Sequence, residues 1–141
     1  MNEFQIRSCR TADENEVTAL WEACRHTTPR NDPCRDIKCK LKVDPEWFLV
    51  GMIGGGIVAA CMADYEGHRG WIHCLAVSPV FQRNTYATAV MKTAGNRFRE
   101  AGCPKINLQI RENNVNVCRF YVKIGFALDC VVSMGKRIDP E

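Results

Sequence analysis

A chain of 141 residues has room for one folded core without help from disulfides or a structural metal. Its 46% hydrophobic and 25% charged content is that of an ordinary globular protein, and a net charge of +3 is too small to argue for nucleic acid. The N-terminus lacks an apolar run of signal-peptide length, and no segment approaches the roughly 20 apolar residues of a membrane span. The expectation is therefore one cytoplasmic domain over residues 1–141, with no membrane partner.

Phe4 to Arg10 sets Phe4, Ile6 and Ser8 against Gln5, Arg7 and Cys9, the alternation of an opening strand with one face buried. A helix follows, with Thr11 or Asp13 as its cap, Glu14 and Glu16 at its positive end, and Val17, Leu20, Trp21 and Cys24 as its inner stripe. Arg30-Asn31-Asp32-Pro33 reads as a turn into a second helix, Asp32 at the cap and Pro33 in the first turn. That helix has a thin stripe, Ile37 and Leu41, and Asp44-Pro45 ends it. Trp47 to Ile53, the three glycines 54–56, and Ile57 to Ala63 form a predicted hairpin. Trp71 to Val77 is a further strand.

From Ala87, the positions Val90, Met91, Ala94 and Phe98 mark a buried helical face, stopped at Gly102-Cys103-Pro104. Lys105 to Ile110 is a short strand. Asn114 caps a last helix with Val117, Tyr121 and Ile124 inside, which ends at Gly125 before a final strand through Val131 to Met134. The order β-α-α-β-β-β-α-β-α-β predicts an α/β fold, a mixed sheet with helices packed on it. No linker, repeat or low-complexity segment interrupts it.

Nine cysteines invite a metal or disulfide reading, but the number is odd and no C-x-x-C pair occurs. Reduced, mostly buried thiols are expected, and no metal. Lys38, Lys40 and Lys42 are the only hint of a basic patch; a solvated helix face accounts for them, and no nucleic-acid partner is expected.

The stretch from Val77 to Ala89 is strand, loop and helix start, an arrangement that turns backbone N–H groups toward an anion. It is equally an ordinary connection, since the glycines that make phosphate loops specific are missing. Here the sequence resembles the GNAT N-acetyltransferases. Leu75-Ala76-Val77, Ser78-Pro79 and Gln82 to Ala87 look like their acetyl-coenzyme A signature, Gln/Arg-x-x-Gly-x-Gly/Ala; Asn114 to Phe126 is similar to their second signature. Arg30 to Pro33 and Tyr65 to Gly70 resemble stretches of the YpeA-type bacterial branch.

The resemblance implies a mostly antiparallel sheet and acetyl-CoA as cosubstrate. It implies that the amides of Gln82, Arg83, Asn84, Thr85, Tyr86, Ala87 and Thr88 hold the pyrophosphate and that the backbone of Leu75, Ala76 and Val77 pairs with the pantetheine arm. Asn114, with Val117 and Tyr121 on the same helix, would touch the cofactor. Thr85 stands on the family's glycine; a β-branched residue resists φ above zero and adds bulk, so Thr85→Gly is expected to bind cofactor more tightly. Against this, the Thr85 hydroxyl can cap the helix or donate to phosphate.

Acyl transfer from a thioester needs a neutral amine and a proton for the departing thiolate. Tyr121 matches the family's general acid, and a phenol, ionising only near about pH 10, suits that role. Trp71 to Val77 resembles the strand of serotonin-type N-acetyltransferases in which histidines face the amine, so His73 is the candidate base; a satisfied histidine in a half-buried strand is the other reading. Glu66 is a weaker base, and Asp64, His68 and Trp71 are candidate substrate contacts, as are Arg30, Asn31 and Asp32, which also suit a plain capped turn. The expected acceptor is an amine of a small molecule or a protein, attacked directly in a ternary complex. A non-catalytic coenzyme A-binding domain is the alternative. Family members also suggest a homodimer through the late strands.

Overall fold

The computed structural model describes residues 3–24, 33–82 and 85–138. They fall into two compact units, Met1–Gln109 and Ile110–Glu141, each treated by itself below.

The first unit holds a five-stranded sheet in sequence order: β1 Phe4–Ser8, β2 Phe48–Ile53, β3 Gly56–Tyr65, β4 Gly70–Val77 and β5 Ile106–Leu108. Neighbours are antiparallel except β4 and β5, which run parallel. Three helices complete the unit: α1 Glu14–Ala23, α2 Pro33–Val43 and α3 Tyr86–Glu100. The β2–β3 hairpin turns on Gly54 and Gly55, at φ 57° and 84°, conformations that any side chain would strain. Parallel β4 and β5 need a crossover, and α3 supplies it.

Each sheet face has its own core. On one face α1 and α2 bury Val17, Leu20, Trp21 and Ile37 against Phe48, Val50, Ala60 and Ala76, with the Trp21 and Phe48 rings stacked 5.9 Å apart. The other face is closed by the stripe of α3, Val90, Met91, Ala94 and Phe98, all buried. Gly70 on β4 is tight against that stripe: a Cβ there would stand 2.5 Å from the Phe98 ring.

Two readings of the N-terminal stretch change. The opening strand was expected to bury one face, yet Phe4, Ile6 and Arg7 are all half-buried and Cys9 is buried, because helices lie on both sides of the sheet. Asp13 does precede α1, but its side chain makes no cap bond there. It is drawn instead to Arg7, whose guanidinium donates at 2.6 and 2.9 Å, and to the Arg10 amide at 2.8 Å. A single turn of 3₁₀ helix over Thr11–Asp13 makes that closure. The pairing with Arg7, chiefly its hydrogen bond, holds the Asp13 carboxyl below its ordinary value.

The thiols match the reduced reading in part. The eight described cysteines are all free, but only Cys9 and Cys61 are buried; Cys39 and Cys130 are exposed. Burial pushes Cys9 up to about 11 and Cys61 and Cys74 up to about 12, which keeps them protonated at neutral pH. Among the described residues no group of three or more metal-capable side chains assembles. No described helix is long and apolar enough to cross a membrane.

The second unit has one helix, α4 Val115–Lys123, closed by Gly125 at φ 109°. The predicted final strand is not formed. Residues 126–137 carry no regular structure, and Val131, Val132 and Met134 are exposed. Their β-branched run favours extended backbone, but a strand also needs a ladder partner, and no described strand forms a ladder with them.

Candidate functional site

The centre of interest is a defect in the β3–β4 ladder. Met62 lies opposite Cys74 and Ala63 opposite Ile72, so His73 is one residue too many on β4. A bulge of this kind bends the strand and re-aims its side chain. The His73 ring stacks over Trp71, centroids 6.5 Å apart and planes 11° apart, and its Nε2 lies 2.5 Å from Asp64 Oδ2.

These three residues line a cavity of about 520 Å³, within the span of small-molecule sites. Tyr65, Glu66 and Asp44 complete most of its wall, with Gln109. Asp44, Tyr65 and Gln109 were missed from the sequence: Asp44-Pro45 reads only as a helix stop, and nothing local links it to Asp64. Glu66 commits one carboxylate oxygen to the loop after β3, accepting the His68 and Arg69 amides at 3.1 and 2.6 Å. His68 itself is exposed.

Lys40 corrects another expectation. Its side chain is 9% exposed rather than solvated, with Nζ 4.0 Å from Asp44 Oδ2. Burial lowers the Lys40 ammonium below its ordinary value, while the fields of Asp64, Asp44 and Glu46 oppose that shift. Lys38, by contrast, is mostly exposed and 3.9 Å from Glu14. The lysines are not a basic patch, because one of the three is turned under.

Past the bulge, β4 loses its other neighbour. The ladder with β5 runs from Gly70 and Ile106 only to Ile72 and Leu108, so from His73 to Val77 that edge has no strand beside it among the described residues. Leu75, Ala76 and Val77, expected to pair with a pantetheine arm, lie on this stretch. The Val77 carbonyl is already engaged: Gln82 Nε2 donates to it at 2.9 Å and Cys24 Sγ at 3.1 Å. Gln82 thereby ties the turn over residues 78–82 back to the end of β4.

Thr85 is the N-cap of α3, with φ −85°, a value open to every residue, and its side chain makes no cap bond. The first turn, with Tyr86, Ala87 and Thr88, contains no acidic residue. Free amides and the helix dipole make any helix start of this kind electropositive. The Tyr86 ring packs on Phe4 at 4.6 Å and meets Phe81 edge-on at 6.1 Å, so its side chain serves packing. Arg83 and Asn84 lie outside the described residues, as do Arg30, Asn31 and Asp32.

In the second unit Asn114 is the N-cap of α4, again with no side-chain cap bond, and Val117 is half-buried. Tyr121 is buried, its ring edge-on to Phe120 at 5.0 Å and to Phe126 at 5.4 Å. Asn114 and Tyr121 are seven residues apart, nearly two turns, which sets them on one side of the helix.

Comparison with known proteins bears on this arrangement as a whole. The model of the GNAT family of acetyltransferases matches residues 8–126. An acetyltransferase of Yersinia enterocolitica is 39% identical over 135 residues, 96% of each chain. One from Pectobacterium atrosepticum is 40% identical over 136 residues, again 96% of each. An aminoglycoside N-acetyltransferase solved in complex with CoA superposes with a TM-score of 0.80, covering 99% of this chain and 97% of that one. At 15% identity that likeness is one of fold. With the family model spanning both signatures and relatives matching end to end, the chain belongs to the GNAT family of acetyltransferases.

Proposed function

We propose that residues 1–141 work as one N-acetyltransferase domain, moving acetyl from acetyl-CoA to a primary amine by direct attack in a ternary complex. The observation that carries this reading is the juxtaposition on β4. A base candidate at the bulge faces a small-molecule-sized cavity, and the strand edge without a neighbour begins at the same residue. An unpaired edge can accept the amide-bearing arm of coenzyme A as a strand would accept a partner. The start of α3 suits the pyrophosphate, since neither an acidic side chain nor a capping bond competes for its amides.

The acceptor arrives as a cation. Carboxylates of Asp44, Asp64 and Glu66 attract it, and the Trp71 and Tyr65 rings give it apolar walls. His73 removes its proton. The amine nitrogen then bonds the thioester carbon, the carbon–sulfur bond breaks and Tyr121 protonates the departing thiolate. The second proton that the nitrogen sheds as the amide forms restores the Tyr121 phenol through solvent. The Tyr121 role rests on the resemblance of Asn114 to Phe126. Glu66 is the lesser base, because its carboxylate already braces the loop.

A thiol-release assay over a panel of amines tests the reading. Turnover on at least one amine is expected, with Tyr121→Phe lowering kcat by about 100-fold at unchanged acetyl-CoA affinity. Acetyl-CoA binding without turnover on any amine would establish the non-catalytic binding domain instead. Unaltered turnover in Tyr121→Phe would remove the general acid.

A further inference from the structure

We infer that Asp64 is a positioning residue for acetyl transfer, fixing the His73 imidazole with its proton on Nε2 so that Nδ1 is the atom that takes the acceptor's proton. This rests on His73 being the base of the proposed function. A carboxylate only accepts hydrogen bonds, so at 2.5 Å from Asp64 Oδ2 the His73 Nε2 must be the donor. The neutral ring then has its lone pair on Nδ1. Among the described residues the ring makes no other hydrogen bond and the side chain is 45% exposed, so Nδ1 is the nitrogen left to accept from an incoming amine.

The two strands hold the partners independently. Asp64 is opposite Trp71 in the ladder, a regular position, whereas His73 is the extra residue of the bulge. Alternation alone sets residue 73 on the strand face of Trp71, and the bulge leaves it with no β3 residue directly opposite. His73, Trp71 and Asp64 meet at the cavity wall, the Trp71 and His73 rings within 11° of parallel. When the amine gives its proton to Nδ1, the ring becomes an imidazolium whose positive charge the Asp64 carboxylate offsets. The proton passes to solvent through the open side of the cavity before the next turnover.

The test combines steady-state kinetics with the long-range ¹H–¹⁵N spectrum of the free protein. The chain has three histidines, and His73→Gln assigns the relevant signals. The wild-type ring, when neutral, is expected to be protonated on Nε2, and Asp64→Asn to mix the two tautomers. Asp64→Asn should lower kcat by about 10- to 100-fold while leaving the KM for acetyl-CoA unchanged, and Asp64→Glu should restore much of the loss. A residue that merely braced the sheet would change stability without moving the tautomer, and Asp64→Glu would not rescue it. A wild-type ring protonated on Nδ1, or wild-type kcat in Asp64→Asn, overturns the inference while turnover itself upholds the proposed function. A wild type that acetylates no amine fails the proposed function; Asp64 then has no catalytic role even where the Nε2 tautomer is seen.

Discussion

The two faces of the sheet are built from similar materials to different ends. Under α3 the apolar stripe is continuous from Val90 to Phe98, and none of its buried residues is charged. Under α1 and α2 the core is equally apolar around Trp21, Ile37 and Phe48, but it gives way to Lys40, Asp44, Asp64 and His73. The stripe of α2 is thin, and where it ends the sheet is left with polar cover. One face closes completely and carries stability; the other closes only part of the way and leaves room for chemistry.

The sharpest break in that comparison is Phe98→Ala. Phe98 is 1% exposed and stacks on Trp47 at 4.6 Å, so truncation leaves a cavity in the closed face. A loss of about 3–5 kcal/mol in denaturant unfolding is expected. A loss below 1 kcal/mol would mean that this face repacks freely and does not carry the fold.

Asp13→Asn comes next, at the edge of the other face. The Asp13 side chain is 9% exposed and paired with Arg7 in two hydrogen bonds, and its removal is expected to cost about 2 kcal/mol at neutral pH. The folded protein holds this carboxyl below its ordinary value, so its contribution is full above about pH 4 and fades as pH falls through the lower, folded value. The variant should therefore lose less stability than wild type on going from pH 5 to pH 2. Parallel acid-unfolding curves would show that the pair contributes nothing.

Legibility followed the range of the forces. Periodicity found α1 to α4, each with one buried stripe, and apolar runs found the first five strands, although the sheet is covered on both sides. Glycines 54, 55, 102 and 125 were read correctly as turns and stops because a positive φ is a local demand. What the sequence hid depends on partners far along the chain. Asp13 looks like a helix cap until Arg7 is beside it; Lys40 looks solvated until Asp44 and the sheet enclose it. The last strand fails for the same reason, since Val131 to Met134 has the propensity without a ladder. His73 and Asp64 were both visible as candidates, nine residues apart, but their pairing, Nε2 to Oδ2, depends on the register of β3 against β4.

The smallest expected effect lies where the closed face reaches the chemistry, at the start of α3. The sequence suggested two costs of a threonine on the family's glycine, an unfavourable φ and bulk. At φ −85° the first does not arise, and Thr85 makes no cap bond for glycine to lose. Only bulk remains, and Thr85 is exposed. Thr85→Gly should therefore tighten coenzyme A binding in calorimetry by no more than about threefold, less than 1 kcal/mol. An unchanged dissociation constant would show that the side chain does not meet the ligand at all. A tenfold gain would show that the loop rearranges on binding into a conformation that glycine favours, and that the start of α3 is not preformed for phosphate.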